Sequence, residues 1–124
     1  MTMRDSIAAA RISGPMPTAD GSAVLEFWFR RDDPTFVGHF PNRPLVPGVF
    51  QIEMTRVAAE TVLAGSLTVR EITKAKFLRP IIPAETVRLE LKLAPQADTI
   101  QAHARLSVGG RPAGEVRLTL ARNP

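Results

Sequence analysis

The stretch Gly38-His39-Phe40-Pro41-Asn42-Arg43-Pro44-Leu45-Val46-Pro47-Gly48-Val49-Phe50-Gln51-Ile52-Glu53 places one histidine ahead of a proline-punctuated loop, a Pro-Gly step and a glutamate. Pro41, Pro44 and Pro47 each fix their own φ and push the preceding residue toward extended backbone, so the loop is a restrained holder for His39. Imidazole and carboxylate both suit proton transfer near neutral pH when a fold positions them. Beyond Gly48 the character changes. Val49, Phe50, Ile52, Met54, Val57, Ala58, Ala59, Val62 and Leu63 predict a helix over residues 48–63, with Gly65 as its C-cap. These apolar positions run nearly all the way round, which describes a helix enclosed by the rest of the chain. Its start lacks Ser, Thr, Asp or Asn at the cap position, so its first amides need other partners. Two readings follow. A ligand oxygen can sit at the uncapped tip, with Gly48 allowing close approach, or the tip is a Pro-Gly turn whose amides are solvated.

Downstream the pattern has period two. Val87, Leu89, Leu91 and Leu93 alternate with charged residues; Ile100, Ala102, Ala104, Leu106 and Val108 oppose Gln101, His103, Arg105 and Ser107; Val116, Leu118 and Leu120 oppose Arg117 and Thr119. Such alternation predicts antiparallel strands with one packed and one wet face. Residues 95–98 and Gly109-Gly110 read as hairpin turns. Residues 68–77 and 24–29 are further strands, and residues 8–13 a weaker one closed by Gly14-Pro15. The expected order is β-β-α-β-β-β-β, an α+β fold in one domain spanning residues 1–124.

Composition bounds the function. Hydrophobic residues make up 44% and charged residues 23% of the 124 positions, ordinary for a folded domain with its own core. No apolar run approaches the roughly 18 residues a membrane span needs. Ile7-Ala8-Ala9-Ala10 is too short for a secretory core, so the expectation is a cytoplasmic protein without a leader. Cysteine is absent, which removes disulfides, a thiol nucleophile and thiolate metal sites. The net charge is +4, yet the basic residues are scattered and match no nucleic-acid motif. They describe a solvated basic surface or one that meets an acidic partner. No second histidine or acidic cluster accompanies His39, so no metal is expected, and no phosphate- or dinucleotide-binding glycine loop is present.

Each candidate has an ordinary reading beside the chemical one. His39, near Phe36 and Phe40, can be a packed core histidine. Glu53, Arg56 and Glu60 share one helical face, where Arg56 can bridge both acids in a surface stripe; against that, Val49 and Val57 flank Glu53 with apolar groups. His103 falls on a polar strand face and reads as exposed.

Gly-His-Phe-Pro-x-x-Pro-x-x-Pro-Gly-Val-x-x-x-Glu resembles the active-site segment of the hot-dog-fold 3-hydroxyacyl-acyl-carrier-protein dehydratases of the FabZ and FabA type. Phe77-Leu78-Arg79-Pro80-Ile81-Ile82-Pro83-Ala84-Glu85 is similar to that family's second signature. The resemblance covers residues 22–121 and implies an antiparallel sheet wrapped around one long central helix. It implies that His39 takes a proton from C2 of a 3-hydroxyacyl thioester. Glu53 of a partner subunit would bind and protonate the leaving 3-hydroxyl, helped by burial among Val49, Val57 and that partner. The Gly48 amide would hold the thioester carbonyl. No cofactor is implied. Phe40, Pro47, Val49, Phe50, Met54, Phe77 and Ile81 would contact the acyl chain. Arg43, Lys76 and Arg79 would meet an acidic acyl carrier protein, and the assembly would be a homodimer or a higher homo-oligomer. Asn42, Val57 and Ala84 depart from the family pattern. The family's Leu-Pro-His-Arg segment is missing, so the expectation is a short form lacking the usual N-terminal helix, serving either fatty-acid synthesis or a dedicated, polyene-like pathway. A hot-dog thioesterase and a non-catalytic acyl-thioester binding module remain as alternatives.

Overall fold

A computed structural model describes residues 2–33 and 45–124. The elements run α1 (Met3–Ala10), β1 (Arg11–Pro17), β2 (Ala23–Trp28), α2 (Gly48–Leu63), β3 (Leu67–Phe77), β4 (Thr86–Gln96), β5 (Thr99–Val108) and β6 (Arg111–Arg122). Six strands form one sheet in the order β1-β2-β4-β5-β6-β3, every neighbouring pair antiparallel. β4, β5 and β6 follow one another through tight turns, whereas β3 crosses to the far edge beside β6.

Alternation places the core as expected. Leu25, Phe27, Val87, Leu89, Leu91, Ala104, Leu106, Val116, Leu118 and Leu120 are all within 1% of complete burial. They form the inner face, against which α2 lays Phe50, Met54, Ala58 and Ala59. Phe50 meets Phe29 edge-on at 5.9 Å. Removing this apolar surface from water is the main stabilising term of the fold. Gly109 and Gly110 take φ of 59° and 79° in the β5–β6 turn, a conformation that favours glycine. The β4–β5 turn is tighter than expected: Pro95 and Gln96 stay paired in β4, and only Ala97 and Asp98 make the bend.

Four expectations need correction. The chain opens on a helix that takes in residues 8–10, so of the expected strand over residues 8–13 only 11–13 are strand, and a helix precedes the sheet. Thr2 and Asp5 form a reciprocal capping box: the Thr2 hydroxyl accepts from the Asp5 amide at 3.1 Å, and the Asp5 carboxylate accepts from the Thr2 amide at 3.1 Å. Those two bonds nucleate a short helix whose Ile7 and Ala10 are buried. Second, Gly14-Pro15 does not end a strand. β1 continues through it along the sheet edge, where a proline forfeits no internal ladder bond. Gly14 lies so close to β2 that a Cβ would come within 2.8 Å of the Leu25 Cα. Third, α2 is capped by Ala64 in the left-handed conformation (φ 54°), while Gly65 donates to the Glu60 carbonyl at 3.2 Å. Fourth, α2 is not enclosed by the described residues. Val49 is 52% exposed, and Ile52, Glu53 and Arg56 beside it are only partly covered.

Candidate active site

The tip of α2 sits against the end of β3. Val46 donates to the Ile81 carbonyl at 2.8 Å and ties the approach segment to the chain beyond β3. Pro47 occupies the N-cap with extended backbone and offers no side-chain cap. A Cβ at Gly48 would lie 2.6 Å from the Phe77 ring, so glycine is what allows the ring to cover the tip. Around this contact opens a cavity of about 510 Å³ lined by Leu45, Val46, Pro47, Gly48, Gln51 and the run from Phe77 to Ile81. It is mostly apolar, and at one end it reaches the start of α2, which has no side-chain cap. That arrangement suits an acyl thioester whose carbonyl oxygen gains charge during reaction.

The cavity brings together Pro47, Gly48, Phe77, Arg79 and Ile81 from the expected set. Phe77 is 48% exposed and forms its rim, whereas Ile81 is buried in its wall. Arg79 donates to the Glu85 carboxylate at 3.1 Å, which holds its charge at the cavity edge. Phe50 and Met54 do not line it; both are core residues beneath the helix. Lys76 lies on exposed β3 outside the lining, and Val49 faces outward from α2. His39, Phe40 and Arg43 fall outside the described residues.

Glu53 occupies the outward stripe of α2. Arg56 grips its carboxylate with two nitrogens, Nε to Oε2 at 3.0 Å and Nη2 to Oε1. The same guanidinium reaches Glu60 Oε2 at 3.3 Å and the Leu67 carbonyl at 3.2 Å. The bridging expected from the i, i+3, i+7 spacing is therefore present, but it is anchored more deeply than a surface stripe. Glu60 is 8% exposed and also binds the Leu67 amide at 2.7 Å and Arg4 of α1. The Arg56 guanidinium is held above its ordinary basicity, chiefly by its hydrogen bonds to Glu53.

His103 is not simply exposed. Its Nε2 lies 2.5 Å from Glu115 Oε2 on the outer face of the sheet, where Lys74 adds a second contact at 2.8 Å. Among the described residues no group of three or more His, Asp or Glu side chains could hold a metal ion, and no helix is long and apolar enough to cross a membrane. The Gln51 carboxamide in the cavity wall went unread in the sequence. The one signal for it was a polar residue set within the apolar run from Val49 to Ile52.

Comparison with known proteins adds to this geometry. Residues 16–110 match the ApeI-like family model, described as ApeI dehydratase. A 3-hydroxyacyl-acyl-carrier-protein dehydratase FabZ from Desulforamulus reducens is 38% identical over 98 residues, covering 73% of this chain and 69% of that one. Its counterpart from Pelotomaculum thermopropionicum is 36% identical over the same share of this chain and 70% of its own. Among solved structures, the dehydratase heterocomplex ApeI:P from Xenorhabdus doucetiae superposes with a TM-score of 0.69 at 26% identity, covering 89% of this chain and 100% of that chain. A fluoroacetyl-CoA-specific thioesterase, FlK, matches with a TM-score of 0.68 at 13% identity, covering 90% of each chain, which speaks to the fold alone. The fold is that of the hot-dog proteins, and the sequence narrows it further. The chain belongs to the ApeI-like dehydratase family.

Proposed function

We propose that this enzyme removes water from 3-hydroxyacyl thioesters carried on acyl carrier protein, giving trans-2-enoyl thioesters. The observation that carries the reading is the uncapped α2 tip opening into an apolar cavity, in a chain of a dehydratase family, with a carboxylate one and a half turns along the same helix. His39 takes the C2 proton. The C–H electron pair forms the enolate, whose oxygen is held by the Gly48 amide at the positive end of the helix dipole. The pair then returns to form the C2–C3 double bond as the C3–O bond breaks. Glu53 from a second subunit supplies the proton that makes the departing hydroxide water. Arg56 must leave Glu53 for this to happen. Glu60 and the Leu67 carbonyl, which it already touches, give it somewhere to remain.

Carrier protein is acidic, and Arg43, Lys76 and Arg79 are the cations that would meet it, in a homodimer. The decisive measurement is enoyl formation by wild type, His39→Ala and Glu53→Gln on 3-hydroxyacyl thioesters of several lengths. Wild type should turn over, and both variants should lose activity by at least about 100-fold while remaining folded. Free thiol released without enoyl product would identify a thioesterase instead. Full activity in His39→Ala would remove the base assignment.

A further inference from the structure

Gln51 stands out in the cavity wall. It is 2% exposed, its Oε1 has no hydrogen-bond partner among the described residues, and its neighbours in the lining are Leu45, Val46, Pro47, Phe77, Leu78 and Ile81. A buried amide oxygen without a partner is costly, and most such atoms in folded proteins are satisfied. This one is also built in. A Cβ on Gly114 of β6 would collide with Gln51 Oε1, so the sheet keeps a glycine where the carboxamide is seated. Gln51 lies three residues beyond Gly48, about 4.5 Å further along the axis at the helical rise. A purely hydrocarbon ligand in this cavity would offer Gln51 Oε1, unpartnered among the described residues, nothing to accept from.

We propose that Gln51 is a specificity residue of the dehydratase site. Its carboxamide pairs with a secondary amide or hydroxyl that the bound thioester carries close to its reacting carbonyl. The carboxamide can turn either its oxygen or its nitrogen toward the ligand, so it can meet a donor or an acceptor. The 3-hydroxyl belongs to Glu53 in this reading, and two other parts of the thioester offer that chemistry: the first amide of the pantetheine arm, common to every carrier-borne substrate, and a further polar substituent on the acyl chain. This inference rests on the dehydratase reading, and its test separates the two.

Three 3-hydroxyacyl thioesters of equal length are compared. One is an N-acetylcysteamine thioester, one an S-pentyl thioester without the amide, and one an S-pentyl thioester whose acyl chain carries a second hydroxyl on C4. Gln51→Met keeps the length of the side chain and removes its hydrogen bonding. The variant should raise KM about tenfold on the thioester carrying the matching group and leave the plain S-pentyl thioester unchanged. A loss confined to the N-acetylcysteamine compound assigns the arm amide; a loss confined to the hydroxylated chain assigns the acyl substituent. Gly114→Ala, which displaces the carboxamide from a different strand, should reproduce the same pattern and serves if Gln51→Met does not fold. Equal losses on all three compounds, or no change on any, overturn the proposal. If wild type turns over none of them, the dehydratase reading falls. Calorimetric binding of the same three thioesters to wild type and Gln51→Met then decides the role of Gln51 by the same pattern.

Discussion

Ala64 ends α2 with φ 54° and ψ 46°, a region where a Cβ is crowded and where glycine is the usual occupant. Its amide and that of Gly65 both donate to the Glu60 carbonyl, so the conformation is held by the cap itself. Ala64→Gly should therefore relieve strain. The expected gain is about 0.5–1 kcal/mol, reduced by the greater freedom glycine has when unfolded. Chemical denaturation of wild type and variant checks it, and a loss of stability would mean the cap tolerates alanine without strain. At this scale the sequence was legible wherever partners lie within one turn of helix. The spacing of Glu53, Arg56 and Glu60 announced their bridging, and Pro47 announced the uncapped tip. Gln51 was not legible, because its seat is made by Gly114 in a strand that meets α2 only after the sheet has closed.

At the scale of elements, β4, β5 and β6 could be read almost residue by residue, since a half-buried strand alternates strictly and a slip of one residue would turn every apolar side chain to water. α1 could not. Its apolar run, Ile7 to Ala10, is too short to show a helical period, and what starts it is the pairing of Thr2 with Asp5, a signal of two residues rather than a period. The outer face of the sheet carries an interaction that alternation also concealed. Glu115 is held at about 2, against an ordinary 4.5, first by Lys74 and then by His103. A depressed carboxylate contributes stability that is fully present above its unfolded value and is lost as pH falls through its folded value. The difference in melting temperature between wild type and Glu115→Gln should therefore be largest above pH 4.5 and shrink between pH 4.5 and about 2. Melting curves across that range test it. A difference that stays constant would show that Glu115 acts through packing and not through charge.

For the whole molecule, the uncovered surfaces belong together. β3 is an 11-residue edge strand with Ile72 50% and Phe77 48% exposed, and Leu78 just beyond it is 50% exposed. The stripe of α2 that bears Val49 and Glu53 is incompletely covered as well. A free edge of this length, carrying apolar side chains, is a template for another strand. Pairing with a second copy about a twofold axis would cover it in a closed, self-complementary way. Ile72 is the midpoint of β3, so such an axis would bring it face to face with its own copy. Ile72→Glu would then oppose two carboxylates at the centre of the interface, which like-charge pairing across strands does not tolerate. The variant should elute as a single chain by size exclusion with light scattering, and wild type as two. If Glu53 acts across the interface, dehydration should vanish together with the dimer, although neither His39 nor Glu53 has changed. A dimeric, fully active Ile72→Glu would place the subunit contact on another face.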